Sequence, residues 1–437
     1  MAGQCSSQRE LMAVPGAKPH PRTVLRRAWA LVLPVLFLGC RTIVASPILI
    51  DHTSVELYDK IPAPYIEWIK SKWLTVPGES HSLGYRLGLQ LLEQQDARFD
   101  VNVQESGTPE GPASTHMRVS KASWGDVTHA TGWRYSYGEE DWFTSGQAVT
   151  QTLAFLTYAN TNGLPIGAVG FGWCWDATWH NSPDGTVDPV YNVRWAGSSV
   201  GGPEGDLRWG LDADDQALTG NSVCTDTYLA ATQTFADHCR SKGYETRVFF
   251  TTGPVDGYTG EGGYQRHLKY EHIRKYVAES SGECLFDYAD ILAWSNAGTQ
   301  NLQTWTDSLG NPRQYPMIHA DNMLDLDGTY AEDGDHIGQR GALRLGKALW
   351  VMMARQAGWD PAGARATRLG ACVTPGFFDV IFPAYPGYTH QLQRSSNLLS
   401  WEDVPGASMP GCGGDGVFCV DCRVASRMFW RIVPLKP

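Results

Sequence analysis

Trp73-Leu74-Thr75-Val76-Pro77-Gly78-Glu79-Ser80-His81-Ser82, followed by LGYRLGLQLLEQQ over residues 83–95, reads as strand, turn and helix in succession. The opening is a short apolar run that stops at Pro-Gly, a turn signal. The closing stretch spaces its apolar residues as one face of a helix does. A strand delivered straight into a helix is the building unit of parallel α/β sheets. The alternation continues outward in both directions. Pro47-Ile48-Leu49-Ile50-Asp51 and Phe99-Asp100-Val101-Asn102-Val103 are strand-like, 147–159 is helical, and 166–171 is apolar and β-rich. Residues 225–241 read as a helix ending near Gly243, 245–250 as a strand, 264–278 as a helix, and 284–293 as containing a further strand. An amphipathic helix over 341–356 closes the series. The expected class is α/β, with a parallel sheet covered on both faces and spanning 46–365.

From Leu369 the pattern changes to short apolar runs such as Phe377-Phe378-Asp379-Val380-Ile381-Phe382 and Val417-Phe418-Cys419-Val420, separated by Pro, Gly and Ser. Helical periodicity is absent there. Residues 370–437 are expected to form a small β-sandwich-like module, joined through a linker at 361–370.

The chain has 437 residues, 42% of them hydrophobic and 19% charged, which suits a globular body with a sizeable core and excludes a disordered chain. Its net charge of −11 hides an asymmetry: residues 1–45 carry +5, leaving −16 for the rest. An acidic body repels nucleic-acid phosphates and anionic headgroups, so a neutral substrate and no nucleic-acid partner are expected. In the basic segment, Arg26-Arg27 precede the apolar run AWALVLPVLFLG. That run is shorter than the ~20 residues of a membrane span. Small residues follow at Ala45 and Ser46, so 1–45 reads as an export leader, implying a secreted, periplasmic or cell-surface protein. Two alternatives stand beside it: a lipoprotein site at Cys40, the one route to membrane anchoring by lipid, and retention of the uncleaved run. Of 10 cysteines, Cys5 and Cys40 fall in the leader. The remaining Cys174, Cys224, Cys239, Cys284, Cys372, Cys412, Cys419 and Cys422 are an even set expected to form disulfides in an oxidising compartment, in preference to a zinc site.

Serine-dependent ester cleavage needs an exposed hydroxyl, an imidazole to take its proton and a carboxylate to orient the imidazole. Ser80 stands where a strand end meets a helix N-terminus, a place suited to a developing oxyanion. The competing explanation is that Ser80 or Ser82 only caps the helix. Asp333-Gly334-Asp335-His336 precedes the last helix of the α/β region, and a carboxylate three residues before a histidine can reach back to its ring. By itself such a pair is as well explained as a surface loop that caps a helix.

Together, the Gly-x-Ser near an early strand and the Asp-x-x-His before the closing helix resemble the SGNH, or GDSL, hydrolases over roughly residues 47–358. The resemblance extends through Ile337-Gly338-Gln339-Arg340-Gly341-Ala342-Leu343. It implies a flavodoxin-like three-layer α/β/α fold, with Ser80 as nucleophile, His336 as general base and then acid, and Asp333 as its orienting partner. The G-x-S-x-G elbow of α/β-hydrolases is absent, because Ser82 stands in place of its second glycine. The family's oxyanion hole implies the Ser80 amide, a glycine (Gly125, with Gly107 as second candidate) and an asparagine. Cys174 occupies the asparagine position in Gly172-Trp173-Cys174-Trp175-Asp176. A thiol is a weak donor there, and losing one oxyanion donor costs about 3–4 kcal/mol.

Eight of 17 tryptophans lie between Trp124 and Trp209. Trp124, Trp173 and Trp175 are candidates for stacking on sugar faces, against the commoner role of core packing. The expected function is an exported carbohydrate esterase or deacetylase that forms an acyl-serine and needs no metal or organic cofactor. The rivals are a non-catalytic carbohydrate-binding protein on the same fold and a lipase or acyltransferase using the same triad.

Overall fold

The computed structural model of the protein describes residues 46–78, 80–106, 111–121, 143–164, 166–175, 185–195, 208–332, 334, 336–361, 368–371, 377–421 and 428–435. The leader at 1–45, most of the expected linker, and Cys372 and Cys422 lie outside the described residues, as do Glu79, Gly107, Trp124, Gly125, Asp333 and Asp335.

The opening stretch forms β2 (Trp73–Thr75), with all three residues buried. It pairs in parallel with β4 (Met117–Ser120) on one side and β5 (Ala168–Val169) on the other. Strand β3 (Val101–Gln104) lies outside β4, and β6 (Arg247–Val248) outside β5. A single residue, Phe249, separates β6 from β7 (Phe250–Thr251), and its amide bonds to the Val169 carbonyl at 3.0 Å. Strand β7 then pairs in parallel with β8 (Cys284–Phe286), and β8 with β1 (Ile48–Ile50). The order across the two linked sheets is β3-β4-β2-β5-β6/β7-β8-β1, every pairing parallel. The expected mixed α/β class with a parallel sheet is therefore what the chain adopts.

Two sets of helices cover these strands. Helices α1 (Ala63–Lys70) and α2 (Ser82–Gln95) both pack on α7 (Gln339–Gln356), while α3 (Gly146–Thr161) packs on α4 (Thr225–Lys242) and α4 on α5 (Gly260–Glu279). Right-handed crossovers put helices that lead in opposite directions from β2 on opposite faces. Local signals set the ends: the Ser145 side chain accepts from the Ala148 amide to start α3, and left-handed Gly243 stops α4. A short helix, α6 (Tyr288–Ala293), follows β8. Helices α2 and α7 cross with their backbones in contact. A Cβ on Gly88 would lie 1.8 Å from the Ala342 carbonyl oxygen, and one on Gly346 2.3 Å from that of Gly88. Leu74, Leu89, Phe155, Leu349 and Trp350 are fully buried in the core between the layers. Each such side chain contributes about 1.5–3 kcal/mol. Among the described residues no helix is long and apolar enough to cross a membrane.

A hairpin of β9 (Leu302–Thr306) and β10 (Pro312–Pro316) precedes the C-terminal part. There β11 (Arg368–Ala371), β12 (Phe377–Pro383) and β15 (Asp415–Asp421) form one antiparallel sheet. Strands β14 (Glu402–Pro410), β13 (Thr389–Ser395) and β16 (Phe429–Leu435) form another. Val380, Phe382, Phe418 and Val420 of the first share a core with Leu392, Val404, Ala407 and Met409 of the second. The unit rests on the α/β body through Tyr65, whose hydroxyl donates to the Gly413 carbonyl at 3.3 Å, and through Tyr388, whose hydroxyl donates to Glu67 at 3.0 Å.

The cysteine expectation needs correction. Cys412 is disulfide-bonded, but Cys174, Cys224, Cys239, Cys284 and Cys419 are not. Cys224 caps α4 and Cys239 lies near its other end. A helix rise puts fifteen residues about 22 Å apart, while a disulfide needs Cα atoms within about 7 Å. Burial pushes the Cys239 thiol up to about 11 and that of Cys284 up to about 12, so both behave as inert apolar side chains.

Candidate active site

Beyond β2, the chain runs alongside the extension of β5. Gly78 bridges Gly172 in parallel, and the Gly172 amide donates to the Pro77 carbonyl at 2.8 Å. Gly78 has φ +135°, and a Cβ there would lie 2.0 Å from the Gly172 oxygen; a Cβ on Gly172 would lie 2.4 Å from that of Ser82. This glycine pair lets the two strand ends close on each other just before Ser80 and Cys174. The buried Arg86 guanidinium ties the arrangement together, donating to the Val76 carbonyl at 2.9 Å, to the Ser82 carbonyl at 3.0 Å and to Glu105. It fastens the end of β2 to the first turn of α2. The chain leaves β2 toward β3 and β4 and returns to β5 on its other side, so Ser80 and Cys174 stand at the switch point where open α/β sheets bind ligands.

The Ser80 hydroxyl does not cap α2. The helix begins after His81 with no side-chain cap, and Ser80 Oγ instead lies 3.3 Å from His336 Nε2 and 2.9 Å from Cys174 Sγ. His336 arrives from a tight turn in which the Gly334 amide donates to the Ile337 carbonyl at 2.9 Å. Ile337 is fully buried, and the Gly338 amide donates to the Asn322 carbonyl at 2.9 Å. Between these anchors His336 adopts φ +66°. A non-glycine residue held there costs about 1–3 kcal/mol, strain that collects at functional sites. The Trp175 ring lies 4.2 Å from that of His336, centre to centre, and walls the site on that side.

Sequence reasoning missed the role of the next pair. His81 is 1% exposed, and its Nε2 lies 3.0 Å from the Asp256 carboxylate. Asp256 follows β7 on the loop Thr252-Gly253-Pro254-Val255 and is also buried. Burial raises the Asp256 carboxyl, but His81 and then Arg266 outweigh it, leaving the group below its ordinary value and ionised. A carboxylate only accepts, so the proton of that bond sits on His81 Nε2. His81 Nδ1 is buried with no hydrogen-bond partner among the described residues. The His81 and His336 rings are 4.7 Å apart. No local motif marks Asp256; only its position after a parallel strand hinted at a site.

Of the residues singled out from sequence, Ser80, His336, Cys174 and Trp175 come together. Trp173 does not join them as a stacking surface. It is 3% exposed, and its Nε1 donates to Thr251 Oγ1 at 3.0 Å within the core. Alternation along the β5 extension turns its ring inward, where it packs on Tyr228 and Trp209. Asp333, Gly125 and Trp124 lie outside the described residues.

A separate polar cavity of about 390 Å³ is lined by Asp51, His52, Glu271, Arg274, Asp287 and Asp290, among others, and does not include Ser80 or His336. Its polar groups answer one another: His52 Nδ1 is hydrogen-bonded to Asp290 at 2.5 Å, and Arg274 meets Asp287 at 2.6 Å and Glu271 at 2.7 Å. That is a structural ion-pair network. Neither a family of known proteins nor a curated protein sequence matches this chain.

Proposed function

We propose that this protein is an exported serine esterase of the SGNH type, acting on neutral esters, with acylated carbohydrate as the favoured substrate class. The observation that carries this reading is Ser80 Oγ within 3.3 Å of His336 Nε2, two residues 256 positions apart in the chain. Strand order supports it. Counted from β2, the strands β4, β2, β5, β6/β7 and β8 run 2-1-3-4-5, the flavodoxin-like order, with β3 and β1 added at the edges. In the reaction, Ser80 Oγ attacks the ester carbonyl as His336 Nε2 takes its proton. His336 then returns that proton to the departing alcohol, leaving an acyl-Ser80. Water, deprotonated by His336, releases the acid and restores the hydroxyl. Asp333 is assigned to orient His336, and the Ser80 amide at the head of α2 to face the developing oxyanion. Trp175 beside His336 supplies the apolar surface on which an acyl group or sugar ring would rest.

The test is hydrolysis of a small acetyl ester and of acetylated polysaccharide by the wild type and by Ser80→Ala. The expected loss in kcat/KM is about 10³-fold or more. Equal rates for the two proteins would remove Ser80 from the chemistry. Cys174 in place of an amide favours a second reading, a sugar-binding protein without turnover. Glycan binding by a wild type that hydrolyses no ester would select it.

A further inference from the structure

We propose that His81, Cys174 and His336 form a binding site for a divalent cation of the zinc class, and that the ion shuts the esterase by taking His336 away from Ser80. One ligand atom from each of the three residues lies within 4.8 Å of the other two. Tetrahedral zinc with bonds of about 2.0–2.1 Å to nitrogen and 2.3 Å to sulfur separates its ligands by about 3.3–3.6 Å, so closure needs movements of an ångström or so. Two imidazoles and a thiolate are the donor set that zinc and cobalt prefer, whereas magnesium and calcium take oxygen.

The second observation is His81 itself. Its Nε2 is committed to Asp256, and its buried Nδ1 has no partner among the described residues. This is the carboxylate–histidine arrangement that commonly backs a metal ligand, with the carboxylate fixing the tautomer and leaving the other nitrogen's lone pair for the metal. Charge also balances: the Cys174 thiolate and the Asp256 carboxylate offset a dication, the thiol proton passing to solvent as the ion binds. Ser80 Oγ lies 2.9 Å from Cys174 Sγ, beside these three residues. A bound ion occupies the His336 lone pair that would accept the Ser80 proton.

Metal binding does not depend on the esterase reading; inhibition does. The full-length protein, stripped of metal with a chelator, is titrated with Co²⁺ and the thiolate-to-cobalt charge-transfer absorption is followed. One equivalent is expected to produce the band, and Zn²⁺ to abolish it by displacement. Cys174→Ser should lose the band, and Asp256→Asn should weaken cobalt affinity by about 10–100-fold while retaining it. Thermal melts of both variants confirm folding. Zn²⁺ should also suppress acetyl-ester hydrolysis in the wild type, reversibly on adding chelator, and the rate ratio with and without Zn²⁺ should approach one in Cys174→Ser. Absence of the band in the wild type, or its persistence in a folded Cys174→Ser, overturns the site. A band without any esterase activity keeps the metal site and defeats the hydrolase reading. Esterase activity that zinc leaves untouched, despite the band, defeats the inhibition.

Discussion

Ser80 sits between a base and a thiol, and the two neighbours pull in different directions. His336 Nε2 at 3.3 Å suits proton removal, while Cys174 Sγ at 2.9 Å takes up hydrogen-bonding capacity on the same oxygen. The thiol stands where the resembled family carries an amide donor. Supplying that amide should strengthen oxyanion stabilisation, which is worth about 10²–10³ in kcat for one donor. Cys174→Asn is therefore expected to raise kcat for acetyl esters about tenfold or more, with little change in KM. Steady-state kinetics checks this, and an unchanged or lower kcat would place the oxyanion donors elsewhere. The pairing of Ser80 with His336 was legible from two short motifs. Cys174 was likewise expected beside Ser80 and lies 2.9 Å from it, whereas the His81–Asp256 bond was not legible, because it joins the ends of two strands separated by β5.

Elements were legible in proportion to their length and periodicity. Helices α2, α4 and α7 begin within two residues of their expected starts, since each presents several turns of apolar residues. The three-residue β8 occupies only the front of the 284–293 stretch, which then coils into α6 as the Asp287 side chain accepts from the Asp290 amide. The β9–β10 hairpin had no apolar alternation to betray it, because most of its side chains are exposed. Its turn is built on Asp307. Burial raises that carboxyl, but bonds from Asn311, Arg313 and the Leu309 amide outweigh it and bring it down to about 2. A carboxyl depressed on folding stabilises the fold above its unfolded value of 3.8, and that contribution is lost as pH falls through about 2. Carboxyl titration by NMR should therefore give a midpoint near 2 for Asp307. Amide exchange across the hairpin, corrected for intrinsic rates, should accelerate only in that acidic window. A midpoint close to 3.8 would show that the turn is not held by this group.

For the whole molecule, the C-terminal sandwich and the α/β body meet at a backbone contact that only glycine permits. Gly358, just beyond α7, has φ +93°, and Gly413 has φ +76°. A Cβ on Gly413 would lie 1.5 Å from the Ala357 oxygen, and one on Gly358 1.6 Å from the Gly413 oxygen. Gly413→Ala should therefore undock the sandwich without disturbing either core. Calorimetry is expected to show one unfolding transition in the wild type and two in the variant, while the proposed esterase activity, assigned to residues of the α/β body, persists. A single transition in both proteins would make the contact dispensable.

The alternation of apolar runs, the change of composition after Leu369 and the Ser80 and His336 motifs are local patterns, set by side-chain chemistry along a few residues. They sufficed for an α/β body with a β appendage and for naming Ser80 and His336, which the fold brings within 3.3 Å. Cysteine pairing and the use of the tryptophans were not local matters. Cys224 and Cys239 are held apart by a helix, and Trp173 is turned inward while Trp175, two residues on, faces His336. Tertiary structure alone decided these, and it alone placed Asp256 behind His81, because distances between strand ends depend on strand order, which no single segment of the chain encodes.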